Sequence, residues 1–166
     1  MLSGLIIAAV VIAADQLSKF WVLNHLLGEQ AMIVYAPFFN VVRAWNTGVS
    51  FSMFNNYGNL GAILLSVIAG VIVVFLVYWL YQEKDKLAQV ALGMIIGGAV
   101  GNVIDRIRLG AVFDFLDFHI GESHWPAFNV ADSFICIGAT ILIMQSLFNV
   151  VKKNLSLIHI SEPTRH

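Results

Sequence analysis

Residues 87–107 read LAQVALGMIIGGAVGNVIDRI, an apolar run that ends in polar and charged side chains. About 20 mostly apolar residues are what an α-helix needs to cross the hydrocarbon core of a bilayer, so this run predicts a transmembrane helix. Gly93, Gly97 and Gly101 recur at every fourth position, which predicts a face of small residues that packs closely against another helix. Asn102 and Asp105 follow on the same helix, and an ionisable group at membrane depth usually faces a polar cavity and marks a functional site.

Three further apolar runs, at residues 2–23, 60–81 and 130–151, are long enough to span a membrane. The 166-residue chain is 59% hydrophobic and 11% charged, whereas soluble domains carry about 25% charged residues. We therefore predict a membrane all-α fold with four transmembrane helices. The net charge of −1, without a basic cluster, argues against a nucleic-acid partner. The single Cys136 excludes an intrachain disulfide, and its apolar surroundings in sequence predict a buried position.

The connections between the spans also carry structural signals. Residues 31–54 are rich in Val, Phe, Tyr and Trp, which favours short strands, and residues 108–129 mix aromatic with polar side chains. We expect a small β-rich cradle at the extracytoplasmic membrane surface, together with a short outer loop helix. Residues 1–154 are predicted to form a single domain. Residues 155–166 differ in character and are expected to be a non-native or disordered tail.

The orientation of the spans depends on the basic residues in their flanks. Lys84 and Lys86 lie in the hairpin between spans two and three, and Lys152 and Lys153 follow span four. These residues favour a cytoplasmic location for both termini, although nearly as many basic residues flank the opposite ends. In either orientation, an even number of crossings brings four carboxylates to one face of the membrane: Asp15, Asp105, Asp114 and Asp132.

Two polar clusters lie at the ends of spans one and three. Asp15 and Lys19 are four residues apart and share one face of a helix. They are interpreted either as a structural ion pair or as a support for a site. Asn102, Asp105 and Arg106 also share a helical face, which suits either a capping cluster or a group that holds a peptide or carboxylate.

Three further carboxylates lie in the loop before span four or at the start of that span. Asp114 and Asp117 lie among aromatic residues, and in a strand they would point to opposite faces. Asp132 follows Asn129 by three residues, so the two could form the capping box of a helix. That role would explain Asp132 without catalysis, and both interpretations stay open at this point.

Two carboxylates at a watery cleft can hydrolyse a peptide by the aspartic mechanism, in which one takes a proton from water and the other, protonated, polarises the carbonyl. The sequence contains no HExxH zinc motif, and the loop residues His119 and His124 have no third ligand nearby, so neither a metal nor another cofactor is expected. A small membrane transporter is the alternative function, since intramembrane acids also mark ion pathways. A transporter more often shows repeated halves, which this sequence lacks. A structural scaffold would leave the polar clusters unexplained.

Five motifs in order carry a resemblance to a known family. They are Asp15-Gln16-x-x-Lys19, Asn46-Thr47-Gly48-x-x-Phe51, Gly101-Asn102-x-x-Asp105-Arg106, Val112-Phe113-Asp114-Phe115-Leu116-Asp117-Phe118 and Phe128-Asn129-Val130-Ala131-Asp132-Ser133. The chain resembles bacterial lipoprotein signal peptidase, also called signal peptidase II, from residue 14 to about residue 153.

The resemblance implies an intramembrane aspartic endopeptidase of the bacterial inner membrane that cuts prolipoproteins before a diacylglyceryl-modified cysteine. It places catalysis on Asp114 and Asp132. The residues implied to bind substrate or support the site are Asn46, Asn102, Arg106, Asn129, Asp15 and Lys19. The active site is expected near the outer face. The expected partners are the lipid-modified substrate and membrane lipids, and the protein is expected to act as a monomer.

Overall fold

The computed structural model describes residues 1–48 and 60–160 of the chain, with backbone only at residues 60 and 153–160. Within these residues, four helices are long and apolar enough to cross a membrane. The elements in chain order are α1 (Leu2–Trp21), continued by a π-helical turn (Val22–Leu26), β1 (Met32–Ala36), β2 (Phe39–Asn46), α2 (Leu60–Gln82), α3 (Lys86–Leu109), β3 (Val112–Ile120), β4 (Ser123–His124) and α4 (Val130–Ile160). The four predicted spans are confirmed.

Helix α3 lies at the centre of the bundle and contacts the other three helices. Its predicted stripe of small residues packs against α1. A Cβ on Gly93 would collide with the backbone of Gly4, and one on Gly97 would lie 2.7 Å from the carbonyl oxygen of Ala8. The absence of side chains therefore lets the two backbones approach closely, as the four-residue spacing predicted.

The other two contacts of α3 differ in character. On the side of α4, Gly98 of α3 packs against Ala131, and Gly138 of α4 packs against Ala91. On the side of α2, the contacts are aliphatic. They include the buried residues Leu76, Leu80, Leu92 and Ile96. The three interfaces hold the helix ends that carry the polar residues in fixed relative positions.

The two connections at one end of the bundle form one antiparallel sheet in the order β1-β2-β3-β4. Strand β2 pairs with β3, so that Ala44 lies opposite Asp114 and Asn46 opposite Val112. The sheet packs over a core at the end of α1. This core contains the buried residues Val22, Leu27, Val41, Phe113 and Phe115. The predicted β-rich cradle is therefore present.

The predicted outer loop helix, the predicted domain end and the predicted burial of Cys136 can each be compared with the structure. Within residues 27–48 and 110–129 the connections contain no separate short helix, and the predicted strand region beyond residue 48 lies outside the described residues. Helix α4 continues to Ile160, past the predicted domain end at residue 154. The prediction that Cys136 is buried is wrong, because α4 packs against α3 through its small residues and Cys136 lies on an exposed face.

Candidate active site

The polar ends of α1 and α3, strand β3 and the first turn of α4 meet at the end of the bundle that carries the sheet. The carboxylates that the even number of crossings assigned to one face lie here in two linked groups. Asp114 and Asp132 belong to the first group. Asp15 and Asp105 belong to the second.

Asp114 lies in the middle of β3, opposite Ala44, and is 2% exposed. Its Oδ1 accepts a hydrogen bond from Asn129 Nδ2 at 2.7 Å, and its Oδ2 accepts one from Asn46 Nδ2 at 3.0 Å. Burial raises the pKa of Asp114 to about 6, and the nearby charge of Asp132 acts in the same direction, while the bond from Asn46 opposes the rise. Asp114 can therefore hold a proton in mildly acidic solution.

Asp132 lies in the first turn of α4 and exchanges hydrogen bonds with Asn129, the residue before the helix. The Asp132 backbone N–H donates to Asn129 Oδ1 at 3.0 Å, and the Asn129 N–H donates to Asp132 Oδ2 at 3.3 Å. This reciprocal pair is a capping box. The other carboxylate oxygen, Oδ1, accepts a hydrogen bond from Asn102 Nδ2 at 2.7 Å. Asp132 thus caps the helix and also faces α3.

Asn129 connects the two carboxylates. Its oxygen accepts the backbone N–H of Asp132, so its Nδ2 group is the donor that faces Asp114. The same Nδ2 group lies 3.2 Å from Asn102 Oδ1. One fully buried amide therefore fixes the position of a strand carboxylate relative to a helix carboxylate.

Behind this group lies a buried cluster of two acids and one ammonium. Lys19 Nζ lies 2.8 Å from Asp15 Oδ2 and 2.8 Å from Asp105 Oδ2. Asp15 Oδ1 accepts the backbone N–H of Ala131 at 2.9 Å. Lys19 also donates to Asn102 Oδ1 at 3.2 Å. The ion pair predicted from the four-residue spacing exists, and it ties α1 to α3 and to the start of α4.

The geometry can be compared with known proteins. Residues 7–148 match the family model for signal peptidase (SPase) II. The chain belongs to the signal peptidase II family. A lipoprotein signal peptidase from Rhodopseudomonas palustris (strain TIE-1) is 40% identical over 149 residues, which cover 87% of this chain and 91% of that protein. One from Methylorubrum extorquens (strain PA1) is 44% identical over 147 residues, covering 87% and 85%. A solved structure described as a bacterial membrane enzyme superposes with a TM-score of 0.75 at 28% identity, covering 92% of each chain.

Membership in the signal peptidase II family confirms the predicted family and enzyme class, a multi-pass membrane protease of bacteria. The likeness to the solved bacterial membrane enzyme over 92% of each chain agrees with the predicted membrane fold of four apolar helices and a small sheet. The alternative of a transporter is therefore not supported.

Two residues that contact the candidate site, Asp105 and Gln16, are absent from the predicted set of site residues. Asp105, an acid at membrane depth, accepts the backbone N–H of Phe113, next to Asp114, at 3.3 Å. Gln16 donates to Asp105 Oδ1 at 2.9 Å. The signal for Asp105 was its three-residue spacing from Asn102 on one helical face. For Gln16 the only signal was its place in the first motif.

Arg106 and Asp117 have other surroundings. Arg106 is half-buried, and its guanidinium lies near Gly48, where an added Cβ would be 3.8 Å from Nη2. Asp117 accepts hydrogen bonds from Asn40 Nδ2 at 2.9 Å and contacts His124 Nδ1 at 2.9 Å. Burial alone would raise the pKa of Asp117, but the bonds from His124 and Asn40 outweigh it and hold that pKa below its usual value.

The histidines lie with Asp117 rather than with the candidate catalytic pair. His119 and His124 stack with their ring centroids 4.8 Å apart. Across residues 1–48 and 60–160, no group of three or more His, Cys, Asp or Glu side chains is arranged to hold a metal ion.

Proposed function

We propose that Asp114 and Asp132 are the catalytic pair with which this enzyme removes signal peptides from prolipoproteins, cutting before a diacylglyceryl-modified cysteine. The observation that carries the proposal is the buried Asn129 amide, which bonds to both residues at once. Capping of α4 by Asn129 does not explain why its amide also lies 2.7 Å from Asp114, a carboxylate on a strand.

The chemistry needs one ionised and one protonated carboxyl group. The ionised group takes a proton from water as the oxygen attacks the scissile carbonyl carbon, and the protonated group donates its proton to the carbonyl oxygen. When the tetrahedral intermediate collapses, the C–N bond breaks and the leaving amine takes up a proton from the pair. The raised pKa of Asp114 supports such a division, because two nearby carboxylates do not ionise together easily.

The remaining predicted residues are proposed to support the pair. Asn46 and Asn129 hold Asp114, and Asn102 holds Asp132. Asp15 and Lys19 fix the three helix ends that carry these groups. Arg106 is proposed to bind the substrate backbone, since its guanidinium lies beside Gly48, which immediately follows the Asn46-Thr47 segment.

The lipid-modified substrate is proposed to reach the site from the membrane, between apolar helices whose outward faces expose many large hydrophobic side chains. We further propose that both termini are cytoplasmic, that the site lies near the outer face and that the enzyme acts as a monomer. The support for the orientation is the basic hairpin and the lysines after span four. Impermeant labelling of single cysteines in intact cells tests the orientation: residue 46 should react and residue 84 should not.

Cleavage by the purified protein tests the function. A lipid-modified prolipoprotein should be cut, and the same precursor without its diacylglyceryl group should be cut far more slowly. Asp114→Asn and Asp132→Asn should each abolish cleavage while the proteins stay folded. A chelator should leave the rate unchanged. Loss of activity in chelator, restored by a divalent ion, would refute the aspartic mechanism.

A further inference from the structure

The charge of Lys19 is connected to the proposed catalytic pair through the side chain of Asn102. A lysine ammonium can only donate hydrogen bonds, so the Asn102 atom 3.2 Å from Lys19 Nζ must be the amide oxygen. The oxygen also accepts Asn129 Nδ2 at 3.2 Å, which favours the same orientation. The Asn102 Nδ2 group is then turned toward Asp132 Oδ1, 2.7 Å away.

Both carboxylate oxygens of Asp132 therefore face groups that donate. Oδ1 faces the amide of Asn102, and Oδ2 faces the backbone N–H of Asn129. Neither donor can accept a proton from a carboxylic acid, so both stabilise the ionised form. The first turn of a helix also favours a negative charge at this position.

Asp114 has a different setting. It also accepts two amide hydrogen bonds, but it lies within a strand rather than in the first turn of a helix, and one of its donors is the exposed Asn46. Burial disfavours its charged form and raises the pKa of Asp114 to about 6. Of the two residues, Asp114 is the one whose surroundings favour the protonated form.

We infer that Lys19 is a positioning residue that, by orienting Asn102, keeps Asp132 ionised as the general base and leaves the shared proton on Asp114. This inference rests on the proposed function, since it assigns roles within the same pair. Asp132 takes the proton of the attacking water, and Asp114 gives its proton to the carbonyl oxygen. Among the described residues, the charged groups linked to this end of α4 by hydrogen bonds or ion pairs are Asp15 and Lys19 on α1, Asp105 on α3 and Asp114 on β3, while Arg106 of α3 lies beside Gly48.

Matched variants of the two asparagines test the assignment through the pH dependence of kcat/KM for a lipid-modified prolipoprotein. Asn102→Leu removes a donor from Asp132, so the acidic limb of the profile should move to higher pH by about one unit while the alkaline limb stays. Asn46→Leu removes a donor from Asp114, so the alkaline limb should move to higher pH while the acidic limb stays. The opposite pattern of shifts would overturn the assignment.

The part played by Lys19 needs a variant that keeps the charge of its cluster. Lys19→Met alone would leave Asp15 and Asp105 close together without a cation, so it is combined with Asp105→Asn. The wild-type cluster of one lysine and two acids has a net charge of −1. The double variant keeps only Asp15 and therefore has the same net charge. With the charge unchanged, loss of the donor to Asn102 should move the acidic limb to higher pH by about one unit. Lys19→Arg, which keeps a cationic donor, should retain the wild-type limb.

The outcomes separate this inference from the proposed function. If wild type cleaves the precursor but the double variant keeps both limbs of the profile and loses only thermal stability, Lys19 is structural and the inference is wrong. If the double variant does not fold, the pair of asparagine variants still decides which residue is the base. If wild type does not cleave a lipid-modified precursor, the proposed function itself fails.

Discussion

Asn129 holds Asp114 through its side-chain amide, with 2.7 Å between Asn129 Nδ2 and Asp114 Oδ1. The same side chain caps α4 by accepting the Asp132 backbone N–H at 3.0 Å. The residue that starts a transmembrane helix therefore also sets the distance between two carboxylates on different elements. Its two roles, capping of α4 and positioning of the proposed catalytic pair, can be separated by substitution.

Asn129→Ser separates them, because serine keeps an oxygen that can cap α4 but has no amide to reach Asp114. Because the cap is kept, we expect the thermal unfolding midpoint to fall only by the cost of the lost bonds from the buried amide to Asp114 and Asn102. Turnover should fall about 10- to 100-fold, which corresponds to leaving a buried carboxyl oxygen of Asp114 without its donor. Thermal unfolding and initial rates measured on the same preparation check both parts. Unchanged turnover would mean that the Asn129–Asp114 contact has no role in catalysis.

The capping role of Asp132 can be compared with that of Asp85, whose side chain caps α3 by accepting the Ala88 N–H at 2.9 Å. Asp132→Ala should destabilise the protein by about 0.5–2 kcal/mol through loss of the capping box, and Asp85→Ala should also lower the unfolding midpoint through loss of its cap. Only Asp132→Ala should also abolish cleavage. If both variants retain turnover and lose similar stability, Asp132 is a capping residue and the catalytic proposal is wrong.

Asp114 should make stability depend on pH. Its folded pKa of about 6 lies above the unfolded value of 3.8, so the folded state binds the proton more tightly than the unfolded state. Stability from this group is therefore present below about pH 4 and is lost as pH rises through about pH 6. Asp114→Asn should lack that loss. The difference in unfolding midpoint between wild type and variant should change across this window, in favour of the variant at higher pH. A constant difference would contradict the burial of an ionisable Asp114.

Asp117 should matter less than Asp114, although the two lie three residues apart on one strand. Its carboxylate bonds to Asn40 and His124, which join β2 and β4 to β3. Asp117→Asn weakens the contacts with Asn40 and His124, which lie outside the proposed catalytic pair. It should therefore lower the unfolding midpoint modestly and reduce turnover by less than about tenfold. Equal loss of turnover in Asp114→Asn and Asp117→Asn, at equal amounts of folded protein, would show that the choice of Asp114 is wrong.

Local patterns in the sequence predicted the four spans, the strands and the gathering of the acids, because these depend on apolar length, composition and the number of crossings. They did not predict that Asp15 accepts the backbone N–H of Ala131, 116 positions away. That contact depends on how α1 is rotated against α4, which spacing within one helix does not specify. The same limitation explains the error at Cys136, since an apolar run in a four-helix bundle has faces that point outward as well as inward.

The close approach of α1 and α3 at the buried ion cluster gives the last prediction. A Cβ on Gly101 would lie 2.7 Å from Asp15 Oδ2, whereas a Cβ on Gly70 of α2 would have no atom of the described residues within 4 Å. Gly101→Ala should cost about 1–3 kcal/mol of stability, because the added methyl group pushes Asp15 away from Lys19 and from the start of α4. Gly70→Ala is the matched control and should be neutral or stabilise the protein by roughly 0.5–1 kcal/mol through helix propensity.

The activity of these two variants distinguishes general packing from support of the site. Since Asp15 holds Ala131, the neighbour of Asp132 in α4, Gly101→Ala should lower kcat even at temperatures where the protein is fully folded. Gly70→Ala should keep wild-type kcat. If Gly101→Ala loses stability but keeps full turnover per folded molecule, the ion cluster holds the helices together without setting the geometry of the catalytic pair.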